Sequence, residues 1–463
     1  MVQNGDLQEF KYLYKEVVEN GYEFGTGIWA AINDNFEMRL NESGEYHTYL
    51  KKEIGEINYK DLSVLKQTCL SLSDKNESDV SKELFSEIDG IRYDKDIGYY
   101  SGLYVGHVVE GDFRNNGSSG GFGTWIFKEL LENNYIDGVI HVKESRDSDK
   151  LFEYGISTTI EEIISGSKTK YYPVEYSDVI KTIQKTPGRY AIIGLPSYIM
   201  EIRLLADLNP IIKERIKFAI GLVCGHQKSS KFAEYLAWQC GIKPGNLKSI
   251  NFRKKMDSEP SSSYAIEVSG IIDGEERTII KQMSELDGAD WGKGYFKVRA
   301  SDFTDDVMNE TADITLGDAW LPEYTVDSKG NNILVVRNPI IKDIIEDGVR
   351  SGKVKVDVVD VKTIYRSQSS HYKHTVDELG YRLYKKDKKN IWRPKKRIEP
   401  SKKISFIRRM IQDKREQINI EIPKAYKESV ARDNIEIILK KSKKLSNQYR
   451  NLYRLKRLMS KFR

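Results

Sequence analysis

From residue 99 onward the apolar positions repeat one local pattern. YYSGLYVGHVVEGD (99–112) carries a dense apolar run that predicts a strand, and NNGSSGG (115–121) interrupts it. TWIFKELLENN (124–134) then sets Trp125, Ile126, Leu130 and Leu131 on one helical face, with Asn133 and Asn134 as its stop, and YIDGVIHVKE (135–144) predicts the next strand. A second unit holds the apolar helix IEEII (160–164), a helix over roughly Ser177 to Gln184, a buried strand from Tyr190 to Ile193, the turn Gly194-Leu195-Pro196-Ser197, and a further helix. In a third, the strand IKFAIGLV from Ile216 meets a Cys224-Gly225 turn and runs on into a helix. Strand, turn and helix in series predict a mixed α/β body whose turns collect at one sheet edge, where such folds bind ligands.

Elsewhere the pattern changes. Residues 1 to about 90 mix short helical patterns with turns such as NGYEFGTG and NESGEYH. Residues 246–365 have a period of two between Gly, Asn and Asp turns, predicting strands in INFRKK, SYAIEVSGIID, ERTIIKQ, GYFKVRAS, ADITLGDAW and NNILVVRNP. Past Ser367 basic helices take over, and Ile438, Leu445, Tyr449, Leu452, Leu455, Met459 and Phe462 form an apolar stripe between Lys and Arg. The expected segments are a degenerate N-terminal region (1–95), an α/β ligand-binding region (96–245), a β-rich continuation (246–370) and a basic helical tail (371–463).

Composition narrows the classes. With 463 residues, 39% hydrophobic and 31% charged, the chain is long enough for two or three domains and too apolar for disorder. It shows neither a signal-peptide core nor a spanning run, so a cytoplasmic location is expected. Cys69, Cys224 and Cys240 form no CxxC pair, which supports neither a disulfide framework nor a zinc site, and His371 with His374 are too few ligands for a metal. The net charge of +5 conceals a segregation, because residues 371–463 hold 29 Lys and Arg against 10 Asp and Glu. Such a tail can lie on an anionic membrane face or pack on the body, and no motif supports nucleic-acid binding.

The chemistry centres on turns. Ser118-Ser119-Gly120-Gly121, opening into a helix, can aim backbone N–H groups and the positive end of the helix dipole at a phosphate, or can simply reverse the chain. Ser167 and Lys168 offer a hydroxyl and an ammonium to the same anion, although a turn lysine is as readily just solvated. Gly194 and Pro196 mark a close backbone approach. Cys224 and His226 are candidate substrate contacts or only a turn after a buried strand, and Asp313 and Asp318 are candidate acid/base groups or turn caps. No HExxH or dense carboxylate motif supports a hydrolase.

In order, NNGSSGGFGTWIFKELLENNYIDGVI, SGSKTKYYPVE, IGLPSYIMEIRLL, GLVCGHQKSSKFAEYL and ADITLGDAWLPEYTVDSKGNNILVVRNP resemble successive blocks of the coenzyme F-420 hydrogenase/dehydrogenase beta-subunit family, over roughly residues 15–380. The resemblance implies FAD held by Ser118, Ser119, Gly120, Gly121, Ser167, Lys168, Gly194 and Pro196. Where the family carries iron–sulfur cysteines this chain has Glu23, Thr26 and Trp29, the run Ser301 to Asp306, and Ser197. Three scattered cysteines cannot complete a four-thiolate cluster. The resemblance and these departures together imply an FAD-dependent oxidoreductase without clusters, its electron donor unnamed, or else a non-catalytic binding or scaffold protein on the same fold. Relatives with long basic tails belong to bacterial surface-polysaccharide gene sets, which implies a small-molecule or glycan-precursor substrate and a peripheral place at the inner membrane face.

Overall fold

The computed structural model describes residues 4–52, 62–147, 149–257 and 259–461. Two hairpins come first, β1 (Phe36–Leu40) with β2 (Tyr46–Leu50) and β3 (Arg92–Asp94) with β4 (Gly98–Tyr100). There follow β5 (Gly102–Val108), β6 (Gly138–Glu144), β7 (Phe152–Ser157), β8 (Tyr190–Gly194) and β9 (Ile216–Leu222). A separate antiparallel sheet of β10 (Leu247–Lys254), β11 (Ala265–Ile272) and β12 (Glu275–Gln282) precedes β13 (Ile314–Asp318), β14 (Asn332–Val336) and β15 (Val354–Val358).

One eight-stranded sheet, ordered β15-β5-β14-β13-β9-β8-β6-β7, organises the body. Its middle is parallel, with Ile314 beside Ile220, Tyr190 beside Ile216 and Gly138 beside Tyr190. β5 runs the same way, because it reaches β13 through two antiparallel steps across β14. The C-terminal ends of β5, β13, β9, β8 and β6 therefore share one edge.

Successive strand residues face opposite ways, so Ala191 and Ile192 belong to different cores. On one face lie Trp125, Ile126 and Leu130 of the Phe122–Glu132 helix and Ile341, Ile344 and Ile345 of the Pro339–Arg350 helix. On the other, Ile199, Ile202 and Leu205 of the Pro196–Leu208 helix meet Phe10, Trp29 and Phe36.

The structure redraws three expectations. NESGEYH turns a β-hairpin rather than separating helices. GYFKVRAS is no strand: Tyr295, Phe296 and Val298 are all buried, Phe296 adopts φ +52°, and Arg299–Phe303 form a 3-10 turn, so its apolar alternation belongs to a buried loop. Segments 96–245 and 246–370 share the central sheet, to which β13, β14 and β15 return.

The basic tail packs on the body as a hairpin of two long helices, Phe406–Ala431 and Glu436–Lys461. Ile438, Leu445 and Tyr449 of the expected stripe are buried with Ile411, Ile418 and Ile422 against Phe232, Tyr235 and Phe296, while Leu455 and Met459 are exposed. Phe462 lies outside the described residues. No helix among the described residues is long and apolar enough to cross a membrane.

At the positions where the resembled family carries cysteines, polar and aromatic side chains satisfy one another. Thr26 Oγ1 donates to Glu201 Oε2, Leu70 N donates to Glu201 Oε1 at 2.9 Å, and Trp29 Nε1 donates to Leu65 O at 2.8 Å. The space left among Glu23, Thr26, Trp29, Cys69 and Glu201 is about 10 Å³, the volume of a single water probe. Burial pushes the Glu201 carboxyl up to about 7. A raised carboxyl favours folding fully below its unfolded value of about 4.3 and loses that advantage as pH climbs through 7. Glu201→Gln, which keeps hydrogen-bonding groups at both positions, is therefore expected to flatten the stability profile between pH 4.5 and 7.5, where the native protein loses about 3 kcal/mol. Urea denaturation across that range reads the effect, and parallel profiles for the two proteins would contradict it.

Candidate functional site

β5 delivers the chain to the shared strand edge, and the turn after it is built of backbone contacts. Gly121 takes φ +89°, and a Cβ there would lie 2.8 Å from backbone atoms of Phe113 and Arg114. The Phe122–Glu132 helix starts on this glycine; Phe122 N donates to Asn332 Oδ1 at 3.5 Å, and Gly123 and Thr124 of the first turn line the open side. Ser119 Oγ donates to Asn331 O at 2.8 Å, fastening the turn to the residue before β14, and Lys255 Nζ donates to Ser119 O at 2.9 Å.

Ser118 Oγ accepts from Thr169 N at 2.8 Å, and Ser167 Oγ donates to Asn116 O at 3.0 Å. These two bonds lock the Ser/Gly turn to the 166–170 segment. Lys168 sits there at φ +75°, and Lys170 Nζ donates to Gly166 O and, at 2.6 Å, to Ser167 O. Burial pushes the Lys170 ammonium down to about 7, with Lys168 adding to the shift and Glu144 opposing it. His141, close by, is driven down to about 3 by burial and by Lys170, so it is neutral.

An anion bound at this turn favours the Lys170 ammonium, which is mostly neutral above pH 7 when the site is free. Pyrophosphate binding at pH 8 is therefore expected to take up a proton and to weaken as pH rises from 7 to 9. Titration calorimetry in two buffers of different ionisation enthalpy checks this, and Lys170→Gln should lower the number of protons taken up.

A wall of rings continues from Lys170. Tyr171 packs on Trp291 at 4.7 Å between centroids, and the His226 ring stacks on Trp291 at 4.7 Å. Lys228 Nζ sits 4.3 Å from the Trp291 ring centre and donates to Tyr295 O at 2.6 Å. Arg253 pairs with Asp318 at 2.5 Å and lies over Tyr264 and Trp320. Burial raises the Cys224 thiol to about 12, so it is no thiolate nucleophile, and burial drives His226 well below its ordinary value.

Ser118, Ser119, Lys168, Lys170, His141 and the ring wall line one cavity of about 1080 Å³, ample for a dinucleotide. Of the residues singled out from sequence, Ser118, Ser119, Gly121, Ser167, Lys168, Gly194, Cys224 and His226 line it together. Gly120 and Pro196 do not. A Cβ on Gly120 would fall 2.6 Å from Gly106 O, so this glycine serves turn packing, and Pro196 is the buried first residue of its helix. His371, His374 and Asp318 also line the cavity, whereas Asp313 is spent on Arg203 at 2.8 Å and Ala219 N at 2.7 Å.

Sequence reasoning missed Lys170, Tyr171, Lys228, Arg253, Trp291 and Arg415. Lys228 stands within GLVCGHQKSSKFAEYL, two residues past His226, but nothing local marks Arg415.

Known proteins resemble the chain over the segments that build this cavity's strand edge. Residues 103–181 match the N-terminal part of the coenzyme F-420 hydrogenase/dehydrogenase beta subunit and residues 188–362 its C-terminal part, together more than half of the chain. No curated protein matches the sequence. Among solved structures, a chain of the F-420-reducing nickel–iron hydrogenase complex from Methanosarcina barkeri, studied by xenon derivatization, aligns at 14% identity and a TM-score of 0.48, covering 65% of this chain and 96% of that one.

Proposed function

Because the chain belongs to the coenzyme F-420 hydrogenase/dehydrogenase beta-subunit family, a family of redox proteins, we propose that it is an FAD-dependent oxidoreductase working without iron–sulfur clusters. The observation that carries this reading is the helix start at Gly121, whose Gly123 and Thr124 open with Ser118 and Lys168 onto a cavity of about 1080 Å³ at the ends of parallel strands. The residues fit the cofactor. Backbone N–H groups of the first helical turn, with Lys168 and protonated Lys170 beside them, suit a diphosphate. Gly194 and Leu195, next to Tyr154 and Tyr198, suit a flat ring.

When bound, a flavin supplies two-electron hydride exchange, which needs no chain of one-electron carriers. The protein's part is to position and to exclude water. Tyr154 OH donates to Ile193 O at 2.9 Å and fixes the strand end beside the ring shelf. Asn309 Nδ2 donates to Gly194 O at 3.0 Å from beneath. Trp291, Tyr171 and Tyr264 wall off the far side, where a small-molecule or glycan-precursor substrate would approach.

The loss of the cluster cysteines fits the hydrogen-bonded fillings at Thr26, Trp29 and Glu201. The visible spectrum of protein purified without added cofactor tests the reading. Flavin bands without a broad iron–sulfur shoulder are expected. A colourless protein that also fails to take up FAD overturns it and leaves a non-catalytic binding role on the same scaffold.

A further inference from the structure

Past the aromatic wall, the cavity is roofed by the C-terminal hairpin, which lies outside the residues matched to the beta-subunit family. Hydrogen bonds hold the roof to the 290–298 loop, among them Tyr449 OH to Gly292 O at 3.1 Å, Lys297 N to Asn419 Oδ1 at 3.1 Å, and Tyr295 OH with Ser446 Oγ at 2.7 Å. Hydrophobic packing alone would not require the tail's polar residues to face inward. Yet Arg415 is only 6% exposed, lines the cavity, and leaves its Nη1 without a hydrogen-bond partner.

Its neighbours are also basic side chains. Lys228, 3% exposed, is held by a carbonyl and two rings rather than by a carboxylate. Lys297 shares the single carboxylate of Asp302 with Arg382. Nε2 of His226, facing the same space, has no partner either. Burial, together with Lys297 and Arg415, holds Lys228 well below its ordinary value, against the opposing pull of Asp290. A buried unpaired guanidinium is costly, and such a group persists where it meets a ligand. Arg450, Arg454 and Arg457 recur at helical spacing on the last helix and line the mouth of the same cavity.

Resting on the flavin reading of the cavity, we infer that the C-terminal hairpin builds a second oxyanion seat there, in which Arg415, Lys228 and Lys297 receive the phosphate or diphosphate group of the substrate. This seat is distinct from the Ser/Gly turn. The two come from different parts of the chain, the turn from residues 117–121 and 166–170, the second seat from Lys228, Lys297 and the C-terminal hairpin. Arg415 supplies a planar fork, Lys228 stands beside it as a further donor, and the rim arginines draw the anion inward. The charge available exceeds what one carboxylate would neutralise, which is why a phosphate-bearing substrate is assigned.

Calorimetric titration with sodium pyrophosphate at constant ionic strength tests this on the full chain, flavin-free and FAD-loaded. Flavin-free protein should take up two pyrophosphates and FAD-loaded protein one. R415Q should weaken the site remaining under FAD by at least about tenfold, the loss of one charge-assisted pair, with FAD affinity within about twofold of the native value. The double variant R454Q/R457Q changes only exposed side chains, and it should weaken the same site a few-fold and flatten its salt dependence. FAD-loaded native protein that binds no pyrophosphate, or R415Q that binds it as the native protein does, overturns the inference. If FAD fails to bind while an Arg415-dependent pyrophosphate site persists, the flavin reading falls and the anion seat stands.

Discussion

Gly121→Ala is expected to destabilise the protein by about 2–3 kcal/mol and to remove FAD uptake with it. The residue holds φ +89°, where an L side chain is strained, and the new methyl would lie 2.8 Å from the Phe113 carbonyl and the Arg114 nitrogen. These are backbone atoms, pinned in turn by Arg114 Nε donating to Gly330 O at 3.1 Å and by Arg114 pairing with Asp327 at 2.5 Å. Relief would require the helix start to move, and the helix start is the proposed diphosphate seat. Two residues on, Gly123 gives the control. A Cβ there would meet only Leu316 Cδ1 at 3.7 Å and Ile193 Cδ1 at 3.9 Å, ordinary contacts, so Gly123→Ala should be neutral or stabilising by up to about 1 kcal/mol. Denaturant midpoints and flavin absorbance read both variants. Equal behaviour of the two would show that the turn is not rigid.

Arg337→Met is expected to cost about 3–5 kcal/mol, as when one partner of a buried ionic network is removed. Arg337 has no exposed surface. Its Nη1 donates to Ala312 O at 3.0 Å and to Thr315 Oγ1 at 2.8 Å, and its Nη2 donates to Ile97 O at 3.2 Å. Burial depresses the guanidinium to about 10, while Asp306, Glu310 and Asp313 oppose that shift. Methionine fills the volume but leaves these acceptors unpaired. Arg337→Lys should recover only part of the loss, because one ammonium cannot span the acceptors at Ala312, Thr315 and Ile97. Urea unfolding provides the readout, and a loss below about 1 kcal/mol would contradict the expectation.

The Arg337 network shows why the fold was only partly legible in the sequence. Local grammar exposed the parallel strands, because β6, β8 and β9 each lead through a turn into an adjacent helix or strand. It could not show that β14 returns to pair with β5, a pairing between residues more than 200 positions apart. The same limit hid the continuity of 96–245 with 246–370. GYFKVRAS misled for a different reason: alternation of apolar and charged residues marks a half-buried strand only when the charges are solvated, and here Lys297 is buried against Asp302.

The site divides similarly. Ser118, Gly121, Ser167 and Gly194 were visible because turns need particular residue types. Gly120 and Pro196 carried the right type for reasons of packing. Arg415 could not be found, since an arginine on a basic amphipathic helix looks solvated until the hairpin folds back over the cavity.

The central claim is that the cavity holds a flavin by its diphosphate at the Gly121 helix start. Calorimetric titration with FAD and with riboflavin, which lacks the diphosphate, tests it most directly. One FAD should bind per chain, with riboflavin weaker by at least about tenfold. Equal affinities for the two, or no uptake of FAD, would contradict it.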